Sequence, residues 1–317
     1  MSEPLTAFAA AKVNLTLAVL GRREDGYHLL SSLVAFAEVG DDLTLVPGGE
    51  LALSVGGPRA AALSADADNL VLKAARALAE RVPGLVSGRF RLTKRLPVAS
   101  GIGGGSADAA AALRLLARAN DLALDDPRVV EAARGTGADV PVCLAGRLCV
   151  MEGIGEALGA ALPCPALPAV LVNPGIPIET RAVFGELALP PGALRDGPPP
   201  PEPSAGMSDG MSTGALIALL RQGGNDLEAP ATRLAPPIAR AMALVAATPA
   251  CRLARMSGSG ATVFGLYESD AAAAAAAARL SKARPGWWIA ATRLGPAQER
   301  APTVRRARIN APRTASP

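Results

Sequence analysis

The segment LPVASGIGGGSADAAAAL, Leu96 to Leu113, holds the densest chemistry of the chain. Gly101, Gly103, Gly104 and Gly105 run through Ser106 and Asp108 into an alanine-rich helix former. Glycines let successive backbone N–H groups converge on one point, and the helix that follows adds unsatisfied donors and a positive dipole end. That construction suits an anion, most often phosphate. It is not a Walker loop, because Ser106 and Ala107 follow Gly105 where Lys-Ser/Thr would be needed. It is not a dinucleotide fingerprint, because Ser106 stands where the third glycine belongs. A flexible linker is the plain alternative, but linkers rarely feed directly into a strong helix start. A phosphate loop of a third kind remains.

Other residues are less decisive alone. In AKVNL, alternation puts Lys12, Asn14 and Thr16 on one strand face, with Val13, Leu15 and Leu17 opposite. An ordinary solvent-facing lysine fits that pattern as well as a functional one. Asp139, in GTGADVP, lies between a glycine turn and Pro141, where the backbone is stiffly presented. A structural Asx turn would account for it equally. Tyr27 and His28 follow the turn signal Asp25-Gly26. Such pairs are ordinarily surface residues, although His28 is the single histidine of the chain. The stretch Ser257-Gly258-Ser259-Gly260 reads as a glycine turn. Cys143, Cys149, Cys164 and Cys251 form no C-x-x-C pair and have no histidines beside them, so no side-chain metal site is expected. They read as buried free thiols.

Pro97, Gly101, Gly103 to Ser106 and Asp108 resemble the ATP loop of the kinase superfamily that includes galactokinase, homoserine kinase, mevalonate kinase and phosphomevalonate kinase. Four further motifs narrow the match: AKVNLTL (Ala11–Leu17), DGYHLLSSL (Asp25–Leu33), GADVPVCL (Gly137–Leu144) and MSGSGATVFGL (Met256–Leu266). In order and spacing they resemble the 4-diphosphocytidyl-2-C-methyl-D-erythritol kinases, over roughly residues 5 to 295.

The resemblance implies a two-lobed α+β fold. Its N-terminal domain would be like ribosomal protein S5, its C-terminal domain ferredoxin-like, with the active site in the cleft between them. The implied activity is direct in-line phosphorylation, by ATP with Mg2+, of the 2-hydroxyl of a cytidine-diphosphate-linked methylerythritol in the non-mevalonate isoprenoid pathway. Asp139 would be the base and Lys12 its electrostatic partner. ATP would be held by Pro97, Val98, Ala99, Ser100, Gly101, Ile102, Gly103, Gly104, Gly105, Ser106 and Ala107, with Asp108 reaching Mg2+ through water. Asn69 would lie near the adenine, with Ser257 and Gly258 packed beside the loop. Tyr27 and Phe184 would stack on the two faces of cytosine and His28 would pair with its polar edge. Asn14 and Thr180 would contact the methylerythritol end.

Departures from the family pattern are small. Ile102 replaces Leu, Ala107 a second Ser, Ala138 a Ser and Ala10 a Pro, so the loop offers one hydroxyl fewer. A homoserine, mevalonate or sugar kinase is the alternative, but such substrates have no nucleobase to sandwich. A non-catalytic nucleotide-binding module is the other, and Lys12 together with Asp139 argues against it.

The elements that must position these groups alternate between strands and helices. Strands are expected at 12–20, 30–39, 42–46, 50–55 and 89–94, and a helix over 69–81 with Asp66 and Asp68 as capping candidates. A helix should start at Ser106, another at Pro127, and a strand at 147–151. Pro163, Pro165 and Pro168 suggest a boundary, giving an N-terminal domain over 1–160 and a C-terminal one over 161–296. The second domain should hold strands at 169–172, 252–256, 262–267 and 288–293, with helices at 213–221, around 231–247 and in the alanine block 271–278. The Pro/Gly-rich stretch 190–206 reads as an exposed insertion.

At 317 residues the chain is long enough for two modest domains. Half of it is hydrophobic, much of that alanine, and only 3% is aromatic. No apolar run of about 18 residues and no basic-then-apolar start appears, so neither a membrane span nor a signal peptide is expected and a cytoplasmic enzyme is. The net charge of +4 is concentrated in the stretch 297–317, with Arg300, Arg305, Arg306, Arg308 and Arg313, which reads as a disordered basic tail. No nucleic-acid partner is expected, since nothing else offers aromatic platforms or an interleaved basic patch. The expected partner is a small-molecule substrate, and the assembly a monomer or weak homodimer.

Overall fold

The structure is a computed structural model that describes residues 3–63, 68–195 and 203–298. Asp66, the middle of the 190–206 insertion and the arginines from Arg300 onward lie outside those residues.

Every strand among the described residues joins one mixed sheet, and β3 (His28–Pro47) is its spine. Antiparallel to it run β1 (Leu5–Asn14), β2 (Ala18–Arg22), β5 (Gly88–Thr93), β6 (Cys149–Gly153) and β11 (Trp288–Gly295). The short strand β4 (Ala52–Gly56) lies parallel to β5, and β7 (Ala157–Leu158) pairs with β6. In the C-terminal half, β8 (Leu167–Asn173) lies between β11 and β10 (Val263–Leu266), with β9 (Leu253–Met256) at the edge.

Two expected strands, 30–39 and 42–46, are therefore one. Gly40 does not end it, because glycine serves a close approach there: a Cβ would sit 2.2 Å from the Ala9 carbonyl oxygen, where the β1–β3 register shifts between Ala10 and Lys12. Conversely, the expected strand 12–20 is two. β1 begins early, at Leu5, and stops at Asn14; Leu17 then leaves the sheet line to bridge Asn225.

Four helices pack on the N-terminal part of the sheet: α1 (Leu70–Ala79), α2 (Gly104–Ala119), α3 (Pro127–Thr136) and α4 (Val140–Ala145). The cap of α1 is Asn69, whose side chain accepts from the Val71 N–H at 3.0 Å, while Asp68 pairs with Lys73. The run of alanines in α2 lets that helix approach β1 closely, and Ala109 to Leu113 are fully buried. The C-terminal half carries α5 (Thr180–Gly185), α6 (Thr213–Leu220), α7 (Glu228–Leu234), α8 (Pro237–Ala246) and α9 (Asp270–Ala283). The single helix expected over 231–247 is divided because Pro236 and Pro237 push Ala235 out of helical geometry, to φ −138° and ψ 80°.

The two halves are not separated by a gap near residue 160. One hydrophobic cluster joins Ala11, Val13, Leu33 and Ala35 to Leu167, Leu171, Leu216 and Phe264. The expected tail start at 297 also shifts: Ala297 N–H donates to the Gly146 carbonyl at 2.7 Å and Gln298 reaches Glu38. Nor is all of the insertion loose, since the Arg195 N–H donates to Leu20 and its guanidinium pairs with Asp226.

Candidate active site

A cleft of about 770 Å³ opens where the end of β1, the first turn of α2, the turn before α4, the β9–β10 turn and α5 converge. Its floor is the glycine loop. Gly101 and Gly103 take left-handed φ values of 73° and 61°, and Gly103 is the N-cap of α2, without a side-chain cap bond. The Ala107 N–H already donates to the Gly103 carbonyl, so the amides of Gly104, Gly105 and Ser106 are the uncapped donors of the helix. All three residues line the cleft. The result is a cradle of free backbone donors at a helix N-terminus, a geometry that suits an anion.

The Ser257–Gly260 turn is packed against this loop and fixes it. Ser257 Oγ donates to the Gly101 carbonyl at 3.0 Å, and the Thr262 N–H donates to Ser100. A Cβ on Gly101 would lie 2.4 Å from the Gly260 carbonyl oxygen and 2.7 Å from that of Ser257. Gly101→Ala should therefore lose stability on two counts. Left-handed strain costs about 1–2 kcal/mol and the backbone clash about 1–3 kcal/mol more. Gly48→Ala, with φ 95° and open space around the site, bears only the first. Chemical denaturation of both variants checks this; equal losses would mean that loop and turn are not in tight contact.

Lys12 and Asp139 meet above the floor. Lys12 Nζ is 3.0 Å from Asp139 Oδ2 and donates to Asn14 Oδ1 at 2.9 Å. The strand alternation thus holds, and the face it defines is buried: Lys12 is 4% exposed. Lys12 is also tied to the loop, its backbone N–H donating to Ile102 and its stem lying 3.1 Å from where a Gly103 Cβ would stand. Asn14 is held by Ser32 Oγ at 2.7 Å and by Ser257 Oγ on its backbone N–H. Asp139 occupies the N-cap position of α4 but makes no side-chain cap bond, so its carboxylate faces Lys12. The Asx-turn alternative is not what forms.

Phe184 lines the cleft, and its ring stacks on the His28 imidazole, which is not itself among the lining residues, with centroids 4.7 Å apart and planes inclined by 29°. His28 Nε2 is buried without a hydrogen-bond partner. Burial, aided by the Arg22 charge, lowers the His28 pKa and favours the neutral ring. Tyr27 is 59% exposed and does not line the cleft, so it and Phe184 do not face each other across a slot. The Asp25–Gly26 turn holds Tyr27 outward, with its N–H on Asp25 Oδ1. Thr180 does reach the cleft, and its hydroxyl is 2.9 Å from Ser259 Oγ.

Several expected nucleotide residues sit behind the wall. Asp108 is turned away from the cleft and bonds to Lys94 Nζ at 2.7 Å. Lys94 also bonds to Asp41 at 2.7 Å, and Asp41 accepts from the Leu96 N–H at the loop entrance. Burial pushes the Asp108 carboxyl upward, with Lys94 opposing the shift. A water-mediated Asp108–Mg2+ contact therefore has no support here; the neighbour that captures this carboxylate, Lys94, is visible only in three dimensions. Asn69 is engaged as a cap, and Leu70 takes the wall position instead. Ala99 and Ser100 line the cleft, whereas Pro97, Val98, Ile102, Ala107 and Ser257 do not; Ile102 and Ala107 are core. Sequence reasoning missed Glu179, Arg181, Ser259 and the apolar wall of Leu30, Met151, Ile154, Ile178 and Leu227. Ser259 lay inside a recognised motif; the apolar residues carry no signal of their own.

Models of the GHMP kinases N terminal domain and the GHMP kinases C terminal region match residues 69–147 and 208–285. A Rhodopseudomonas palustris 4-diphosphocytidyl-2-C-methyl-D-erythritol kinase is 57% identical over 89% of this chain and 94% of its own length. The chain belongs to that kinase family. The 4-diphosphocytidyl-2-C-methyl-D-erythritol kinase of Methylorubrum extorquens is 56% identical over 92% of this chain and 99% of its own. A crystal structure of a 4-(cytidine 5'-diphospho)-2C-methyl-D-erythritol kinase superposes with a TM-score of 0.71 at 34% identity, covering 92% of this chain and 99% of that one. The two-domain α+β fold of the GHMP kinases is thereby shown for this member of the kinase family. No helix among its described residues is long and apolar enough to cross a membrane.

Proposed function

We propose that the chain is a 4-diphosphocytidyl-2-C-methyl-D-erythritol kinase that moves the γ-phosphoryl group of ATP directly to the 2-hydroxyl of its substrate, on the non-mevalonate route to isoprenoid precursors. The observation that carries the mechanism is the 3.0 Å Lys12–Asp139 pair in the cleft floored by the open end of α2. The substrate oxygen attacks the γ-phosphorus, the bond to the bridging oxygen breaks, ADP leaves with the electron pair, and the hydroxyl proton passes to Asp139. Lys12 holds the attacking oxygen and neutralises charge on the transferring group. Asn14 fixes the direction of the Lys12 ammonium. The amides of Gly104, Gly105 and Ser106 take the ATP phosphates.

Mg2+ fits as an ion carried mainly by those phosphates and water, which is its ordinary habit. Among the described residues no group of three or more His, Cys, Asp or Glu is placed to hold a metal, so the Ser106 hydroxyl in the cleft wall is the protein ligand assigned to it. The ion would supply charge neutralisation on the phosphates.

At the base end, the unpartnered Nε2 of His28 is assigned to the polar edge of cytosine and Phe184 to its face. Steady-state turnover with the cytidine substrate, its uridine analogue and homoserine tests the reading. Uridine presents an acceptor and a donor where cytidine presents a donor and an acceptor, so each mispaired buried group costs about 1–3 kcal/mol. His28→Ala should narrow the cytidine/uridine gap and Phe184→Ala should weaken both alike. Equal use of both nucleotides by the wild type, or phosphorylation of homoserine alone, would overturn the assignment.

A further inference from the structure

We infer that Arg181 is a specificity-determining residue that holds the diphosphate of the cytidine substrate; the inference rests on the kinase reading above. The ionisable side chains lining the cleft are Lys12, Asp139, Glu179 and Arg181. Lys12 and Asp139 neutralise each other at 3.0 Å. Arg181 has no ion-pair or hydrogen-bond partner among the described residues, which makes it the uncommitted cation of the cleft wall. The proposed reaction brings in two polyanions, and the α2 amides serve one of them.

Placement on α5 decides which anion falls to Arg181. Thr180 begins the helix and contacts Ser259, in the turn packed on the phosphate loop. Phe184 stands four residues on, against His28 at the base end. Arg181 lies between them in sequence, and at i, i+3 from Phe184 it shares a helix face with that ring. The wall thus runs from transfer centre through Thr180 and Arg181 to the aromatic pair. The substrate has the same order: polyol, two phosphates, cytidine. A guanidinium offers phosphate oxygens a planar, bidentate fork that an ammonium cannot reproduce. Glu179, on the polyol side of Arg181 in the chain, is a carboxylate suited to hydroxyls and would repel a phosphate placed one residue earlier. That polarity sharpens the register.

The test compares wild type, Arg181→Gln and Arg181→Lys. Because Arg181 is exposed, the substitutions leave the core intact, and the melting temperature serves as the control. Arg181→Gln should raise KM for the cytidine substrate by about 10-fold, proportionately more than it lowers kcat, while KM for ATP moves by less than about twofold. Arg181→Lys should recover part of the loss. Calorimetric titration with CDP and CMP needs no turnover: the wild type should prefer CDP, and Arg181→Gln should lose most of that preference. If the wild type phosphorylated no cytidine substrate, the kinase reading would fall while the CDP/CMP titration still judged Arg181. An unchanged CDP/CMP gap in Arg181→Gln, or a rise in KM for ATP in place of that for the cytidine substrate, would overturn the inference.

Discussion

Asp139→Asn should lower kcat by about 100-fold or more, the scale of a lost positioned base, with KM for ATP and the melting temperature near those of the wild type. The replacement is isosteric and keeps an oxygen for Lys12, so the local geometry survives. What it loses is the ability to take a proton. The carboxylate makes no cap bond to α4 and is one-third exposed, with a side-chain accessibility of 33%, so the helix does not depend on its charge. The α2 amides proposed to take the ATP phosphates are not touched by the change. A folded Asp139→Asn protein with near wild-type turnover would remove Asp139 from the proton path.

Lys12→Met should be at least as damaging, with kcat reduced by about 10²–10³-fold, the usual loss when one preorganised donor to developing charge is removed. Methionine fills the same volume beside Gly103, so the loop keeps its packing. Asp139 loses its partner but stays in contact with water, and Asn14 remains held by Ser32 and Ser257. Both substitutions disable a single event, so their effects should not add: the Lys12→Met/Asp139→Asn double variant should turn over about as slowly as the worse single one. Rapid-quench measurement of the chemical step decides it. Fully additive losses would show that the lysine and the carboxylate act on separate steps.

The glycine loop and the helix it opens were legible because glycines at 101 and 103 to 105 mark a special backbone and the helix starts at once. The Lys12–Asn14 pairing was legible because a strand puts alternate residues on one face. Legibility ended where partners come from distant segments. Lys94 and Asp108 are bonded across the loop, and no local pattern reveals that the aspartate turns inward. The helix carrying Thr180 and Phe184 follows Pro177 closely and spans six residues, too few for an apolar period to register. The Phe184–His28 stack joins residues from opposite halves of the chain, so only the family resemblance, and not spacing, placed both at the base end. Gly40 misled for a related reason: a glycine required by a neighbouring strand looks the same in sequence as one that ends its own.

The pairing of β11 with β3 has a bearing on how this protein is made. Leu294 sits opposite Ala37, and the strand that closes the sheet is the last one among the described residues. On the ribosome, the N-terminal lobe emerges with β3 lacking that neighbour until Trp288–Gly295 has been translated. The backbone donors and acceptors around Phe36 and Ala37, between the stretches that β6 and β5 cover, stand open for the interval, a point where another nascent chain can pair. Such late, long-range closure also slows folding, because the loop entropy is lost before the contacts form. Expression yield and chaperone demand should accordingly respond more to substitutions in Trp288–Gly295 than to equally buried changes in α1, whose contacts are complete early in synthesis.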